Sequence, residues 1–251
     1  MMTDPSQRSR SKKPKPKEDR PLVDHFELPE SLTGRAASPS DSLDAGVNSL
    51  RRGHEGIYRG DIIAGALLLP ETRLLADLML RGVSADDWRI AVWPDNILRA
   101  RQRKRAVRVA SLIRARLETV TPDMLELIRD GAGVIAVQAT LAAALKQSRL
   151  LGDFMRLVVA EQYRRFEPRL TKKTWDDYVD ECHERDADMP IWNQATRDRL
   201  RSSVFQTLAQ AGYVQDTRSL RLQAVHVAER VAASLRASND IYVLQCLEVS
   251  P

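Results

Sequence analysis

The sequence predicts a mainly α-helical protein: a multi-helix bundle followed by a winged-helix-like α+β unit with a small hairpin. Only 5% of the 251 residues are aromatic while 43% are hydrophobic, so the core must consist of Leu, Val, Ile and Ala, a composition that favours helices over sheets. Apolar residues recur at helical spacing in successive segments, and capping residues, Pro and Gly separate these segments by short connections.

Composition excludes several classes of protein. The chain has 39 Lys and Arg against 34 Asp and Glu, a small excess that points only weakly to a polyanionic partner. Cys182 and Cys246 form neither a metal-binding spacing nor a disulfide framework, which favours a reducing cytoplasm. The N-terminus lacks the apolar core of a signal peptide, and no apolar run approaches the roughly 18–20 residues that a bilayer requires.

Residues 1–55 are predicted to be a disordered tail. Basic residues alternate with Pro and Ser, and the segment has too little apolar surface to fold. Two interpretations remain open: a solvated extension, or a basic arm that lies along phosphates.

Residues 56–168 are predicted to form the helical bundle. Two short helices are separated at Pro70, which suits a first helical turn, and Gly82 ends the second as a C-terminal cap. Ser84, followed by Asp87 three residues later, resembles a capping box before the next helix.

The segment from Pro94 to Leu117 carries the longest helical signal. Asp95 and Asn96 suggest its start, and its two faces differ in character. The inward face is apolar: Ala106, Val109, Ala110, Ile113 and Leu117. The opposite face is cationic: Arg101, Lys104, Arg105 and Arg108, with Arg99 and Arg103 beside the apolar side. Burying unpaired guanidinium groups is costly, so the basic half must protrude or meet a negative partner.

The remainder of the bundle follows from its caps. Thr121 and Pro122 start a helix, and Val134 to Lys146 is apolar on nearly all sides, which is typical of a central buried helix. Ser148 opens a further helix that Pro168 ends.

Residues 169–251 are predicted to form the second unit. Thr171 caps one helix, Thr196 starts another that ends at Gly212, and residues 214–222 alternate around a polar turn as in a hairpin. A helix from Ala224 to Leu235 and a closing strand from Ile241 to Val249 complete the unit.

A helix followed at once by a hairpin is typical of a winged helix-turn-helix. In that arrangement Arg197 and Arg201 lie on the exposed face of the recognition helix, and Arg218 and Arg221 lie in or near the wing. The pattern indicates the fold more than nucleic-acid binding, because many winged helices only contact proteins.

The sequence predicts neither catalysis nor a metal or cofactor site. It lacks phosphate-binding Gly-rich motifs, G-x-S-x-G and HExxH, and His183 beside Cys182 has no second Cys/His pair. The acidic cluster from Asp176 to Asp188 surrounds one helix and loop, so its carboxylates cannot converge on paired metal ions. It is either a solvated face or an acidic dock for a basic partner, including this chain's own basic helix.

Five segments resemble the BrxA family of BREX bacteriophage-defence systems. They read GALLLPETRLLADLML, LIRARLE, AVQATLAAALKQSRLLGDF, TWDDYVDEC and FQTLAQAGY. The run from Ser148 to Phe154, with Gln138 upstream, is the most specific. The resemblance implies a non-enzymatic protein that binds double-stranded DNA, with a helical part like the NusB antitermination fold.

The leading hypothesis is therefore a DNA-binding accessory protein without a small-molecule substrate. Its predicted phosphate contacts are Arg99, Arg101, Arg103, Lys104, Arg105, Arg108, Arg197, Arg201, Arg218 and Arg221. The alternative is an adaptor that docks other BREX subunits through the same basic helix and winged element. A third interpretation pairs these arginines with carboxylates of the same chain, and phosphate recognition alone does not separate DNA from RNA.

Overall fold

The computed structural model describes residues 56–250, so the predicted tail over residues 1–55 lies outside the described part. The described chain is mainly helical, as predicted. One continuous cluster of buried apolar side chains runs from Tyr58 to Val249. The division into a bundle and a second unit at residue 168 stays a prediction.

The helices follow one another with short connections. A 3-10 turn over Asp61–Ala64 precedes the first of them. The α-helices of the first half are α1 Leu69–Leu80, α2 Ala85–Val92, α3 Arg103–Leu117, α4 Pro122–Asp130 and α5 Val134–Gln147. Then come α6 Arg149–Asp153, a π-helical segment Phe154–Val159 and α7 Ala160–Arg164. The chain closes with α8 Lys172–Arg185, α9 Gln194–Gln210, α10 Glu229–Ala237 and α11 Ile241–Leu247.

The predicted caps start and end several of these helices. The hydroxyls of Ser84, Thr121 and Ser148 accept hydrogen bonds from backbone N–H groups in the first turns of α2, α4 and α6, satisfying donors that have no partner inside the helix. Thr171 forms a reciprocal capping box with Thr174 at the start of α8. Gly82 follows α1 with φ +61°, the left-handed conformation that glycine adopts without strain.

The basic segment starts differently from the prediction. The helix begins at Arg103 and not at Pro94. Asn96 and Arg99 take left-handed φ values of 49° and 50°, which interrupt any helix. The Asn96 side chain accepts from the Ala100 N–H and donates to the Ala100 carbonyl, both at 2.9 Å. The asparagine that suggested a helix start therefore closes a loop, since its side chain competes for backbone groups.

Helix α5 is the centre of the bundle, as its composition predicted. It contacts α1, α3, α4, α6, α10 and α11. Its Gln138 is fully buried and holds the chain before α10, because its amide donates to the His226 carbonyl and accepts from the Ala228 N–H, both at 2.8 Å.

The C-terminal segment corrects two predictions. Residues from Ile241 form helix α11, so the predicted strand is wrong; Val243, Leu244 and Leu247 lie buried at helical spacing against the bundle. Tertiary packing overrides the β propensity of this short segment. Helix α10 begins at Glu229, later than the predicted Ala224.

The predicted hairpin is a reversal without strands. Residues 214–222 turn back around Asp216, whose carboxylate accepts from the backbone N–H groups of Arg218 and Ser219. In this segment the structure contains only two isolated bridges, Val214 with Leu222 and Arg169 with Arg221. The NusB-like and winged-helix assignments stay predictions.

Candidate nucleic-acid interface

Six cationic side chains line the loop before α3 and the first turns of that helix. We call them the basic ridge: Arg99, Arg101, Arg103, Lys104, Arg105 and Arg108. All six are exposed, whereas Ala106, Val109 and Ile113 of the same helix are buried in the core. The predicted two-faced character is thus confirmed for α3, which the core holds in place and which carries Arg103, Lys104, Arg105 and Arg108; Arg99 and Arg101 lie in the loop before it.

The charge of the basic ridge is not neutralised by any side chain in the described part of the protein. Within residues 56–250, no carboxylate lies within salt-bridge distance of any of its six members. Most other arginines of the described chain do have such a partner. The ridge therefore presents six positive charges to solvent on one continuous stretch.

The other end of α3 is fixed by a buried arginine. Arg116 is 1% exposed and donates to the carbonyls of Ala66 and Gly65 at 2.6 and 3.1 Å. Burial lowers its pKa to about 10 and raises the pKa of the nearby Asp61 carboxyl to about 6, because an apolar environment disfavours both charged forms. This contact ties α3 to the segment before α1.

The predicted second basic surface on α9 is largely neutralised. Arg197 lies 2.8 Å from Asp180, and Arg201 lies 2.7 Å from Asp198 and 3.5 Å from Asp176. Their side chains are only 20% and 14% exposed, so placing them on an exposed face was wrong. The reason is the packing of α8 against α9, which brings the carboxylates of one helix over the arginines of the other. The role of both arginines in DNA binding stays a prediction.

These pairs also locate the acidic cluster. Asp176 and Asp180 contact α9 and do not contact the basic ridge. Asp177 pairs with Lys173 on the same helix, and Asp186 accepts the Tyr58 N–H at 3.0 Å. Among residues 56–250 there is no group of three His, Cys, Asp or Glu side chains placed to hold a metal ion.

Arg218 and Arg221, which were predicted in or near a wing, lie in and beside the turn that follows α9. Both are exposed, and neither pairs with a carboxylate of residues 56–250. Over the same residues, no helix combines the length and apolar content of a bilayer-spanning segment.

The sequence did not predict a buried network of hydrogen bonds around Asp153. The Asp153 side chain, 3% exposed, accepts from the hydroxyls of Tyr58 and Tyr242 at 3.0 Å and from Arg149 at 2.9 Å. The Arg149 guanidinium also lies 4.1 Å from the centroid of the Tyr242 ring. Asp153 belongs to the run Ser148 to Phe154, and the network explains what that run does: it joins α6 to α11 and to the N-terminal segment.

The chain is similar to proteins of the BrxA family. The BrxA family model matches residues 56–239. The BREX protein BrxA of Paramagnetospirillum magneticum (strain ATCC 700264 / AMB-1) is 44% identical over 193 residues, which are 77% of this chain and 97% of the relative. That of Escherichia coli O9:H4 (strain HS) is 28% identical over 189 residues, 75% of this chain and 89% of the relative.

A solved structure shares the fold. The crystal structure of an uncharacterized protein from Magnetospirillum magneticum matches with a TM-score of 0.72 at 43% identity. The match covers 77% of this chain and all of that one.

Proposed function

The chain belongs to the BrxA family, and from that premise we propose that it is a non-enzymatic, double-stranded-DNA-binding accessory protein of a BREX defence system. Family membership implies a role in phage defence. The observation that carries the DNA-binding part is the basic ridge, because its six charges are exposed and have no carboxylate partner among the described residues.

The physical argument rests on counterion release. A cation that contacts a DNA phosphate displaces condensed counterions, so an unpaired surface arginine gains free energy on binding while a paired one must first lose its partner. Four of the six ridge cations lie on a helix anchored by Ile113 and Arg116, so these four need little ordering of the backbone. Phosphate contacts fix the position of a protein on the duplex without reading sequence, and we therefore expect binding with little sequence preference.

The salt dependence of binding tests this proposal. Fluorescence anisotropy with a labelled duplex should show log K falling with log[salt] at a slope of roughly −3.5 if about four phosphates are contacted. A variant in which Arg101, Lys104, Arg105 and Arg108 are replaced by Gln should lose most of that slope.

A matched control removes four other exposed charges. Arg81, Arg199, Arg230 and Arg236 are exposed and lie outside the ridge, so replacing them by Gln changes the net charge equally and should leave most of the slope in place. Affinity that is insensitive to salt, or equal losses in both variants, would contradict the proposal.

An adaptor that docks other BREX subunits is the second candidate. Two large apolar side chains are almost fully exposed, Phe166 at 91% and Ile191 at 95%, which is unfavourable in water unless a partner covers them. A pull-down of BREX subunits before and after nuclease treatment separates the candidates. Partners that remain after nuclease treatment and are lost with Phe166→Ser and Ile191→Ser indicate the adaptor.

A further inference from the structure

A cleft of about 660 Å³ lies between the segment before α8 and the turn after α9. Its lining includes Arg169 just before α8, Lys172 at the start of that helix, Arg201 of α9, and Arg218 of the turn after α9. These four cations are up to 49 residues apart in sequence, so only the fold brings them together.

The cleft is strongly cationic. No carboxylate is among its lining residues in the described chain, and its uncharged polar side chains include the hydroxyls of Thr171, Ser202, Thr217 and Ser219. Arg201 is offset by Asp198 and Asp176. Arg169, Lys172 and Arg218 have no ion pair with any carboxylate of residues 56–250. Three cations that form no ion pair within residues 56–250 surround one concave surface, and they repel each other until an anion enters.

Both walls are held in place without a ligand. The backbone bridge between Arg169 and Arg221 joins them, and the Leu170 N–H donates to the Leu220 carbonyl at 3.0 Å. Asp216 holds its turn by accepting from the backbone N–H groups of Arg218 and Ser219 and from the Ser219 hydroxyl, and its carboxylate lies close enough to Arg218 to offset part of that positive charge. The 14-residue helix α8 begins at the cleft, and its N-terminal dipole adds to the positive potential.

We propose that this cleft is a second anion site that binds phosphoryl groups, either on a nucleic-acid strand or on a free nucleotide. Arginine and lysine are the donors that bind phosphate oxygens through strong charge-assisted bonds, whereas the Ser202 and Ser219 hydroxyls already donate to the Asp198 carbonyl and the Asp216 carboxylate. The volume falls within the range of small-molecule sites and exceeds what a single inorganic ion fills. The inference does not rest on the basic ridge, because the two surfaces share no residue.

Titration calorimetry with inorganic pyrophosphate at low ionic strength tests the cleft directly. The test variant replaces Arg169, Lys172 and Arg218 by Gln, which keeps Arg201 and its ion pairs intact. The control variant replaces Arg81, Arg199 and Arg230 by Gln, with the same change in net charge. We expect the test variant to bind pyrophosphate about 10-fold more weakly or worse, and the control to bind like the unmodified protein.

A duplex-binding titration of the same proteins identifies the source of the phosphoryl group. If the test variant also loses about one unit of salt slope on DNA, the cleft holds a backbone phosphate. If its duplex affinity is unchanged while pyrophosphate binding is lost, the cleft serves a free nucleotide.

Two results would overturn the inference. In the first, the unmodified protein does not bind pyrophosphate, and the test variant binds the duplex as tightly as the unmodified protein does. In the second, the test and control variants lose the same amount of affinity. The ridge variant keeps this outcome separate from the proposed function, since it should bind pyrophosphate normally and lose only the duplex.

Discussion

Arginines of the basic ridge and of α9 have the same spacing and opposite surroundings. Arg101 and Arg105 in the ridge, like Arg197 and Arg201, lie four residues apart. The ridge pair is exposed and has no carboxylate partner in residues 56–250, whereas α8 places Asp176 and Asp180 over the α9 pair. A basic pattern on one helix thus says little about its availability, which depends on the charge of whichever helix packs beside it.

The largest expected effect is on DNA affinity when the ridge is reversed. Replacing Arg101, Lys104, Arg105 and Arg108 by Glu removes about four phosphate contacts, each worth about eightfold near 0.1 M salt, so affinity should fall by about 4,000-fold. The thermal midpoint should stay within about 2 °C, since exposed, unpaired side chains contribute little to stability. Anisotropy and thermal unfolding measure the two quantities.

Two outcomes of the charge-reversal experiment would contradict this prediction. A large drop in the melting temperature would mean that the ridge arginines support the fold. An unchanged affinity would mean that DNA, if bound, lies elsewhere.

The same substitution on the two helices should differ in its cost to folding. Arg201→Gln removes a mostly buried guanidinium and leaves the partly exposed carboxylates of Asp176 and Asp198 without their cation, and we expect a loss of about 1–2 kcal/mol in the free energy of unfolding. Arg105→Gln on the ridge should cost less than about 0.5 kcal/mol. Urea denaturation measures both, and equal costs would remove the distinction between the helices.

Releasing the α9 pair tests whether its neutralisation matters for DNA binding. Asp176→Asn with Asp180→Asn removes the α8 carboxylates that face Arg197 and Arg201 and leaves Asp198 beside Arg201, and duplex affinity should rise by up to about tenfold. Asp177→Asn with Glu181→Gln changes the net charge equally on exposed positions of the same helix, and should raise affinity by about twofold at most. Equal gains in duplex affinity for the two double variants would show that affinity depends only on the net charge of the protein.

The sequence predicts a structural feature well when the residues that cause it lie close together in the chain. The caps at Ser84, Thr121 and Ser148 were predictable because each acts within three residues of its own helix. The apolar face of α3 was predictable for the same reason. The loop at Asn96 was missed because the same asparagine suits a helix start and a left-handed turn.

The parts of the candidate site that depend on tertiary contacts were not predictable from periodicity. The pairing of Arg197 with Asp180 requires α8 to pack on α9, and the basic cleft requires Arg169 to meet the turn at Arg218. Asp153 lies inside a family-specific run, yet its partners Tyr58 and Tyr242 are about 90 residues away on either side. Only the contacts reveal what such residues do.

The smallest expected effect concerns the third kind of arginine, the buried Arg116 at the end of α3, and its neighbour Asp61. The folded-state pKa of Asp61 is about 6, above the ~3.9 of an unfolded chain. The folded protein therefore binds an extra proton between these values, so this group's contribution to stability is greatest below pH 4, falls as pH rises towards 6, and is level above that. Asp61→Asn should flatten the difference between urea midpoints at pH 5 and pH 7, whereas the ridge variant should keep it. A difference that persists in Asp61→Asn would assign the pH dependence to another group, and Arg116 would then be held by the carbonyls of Gly65 and Ala66 without help from a charge.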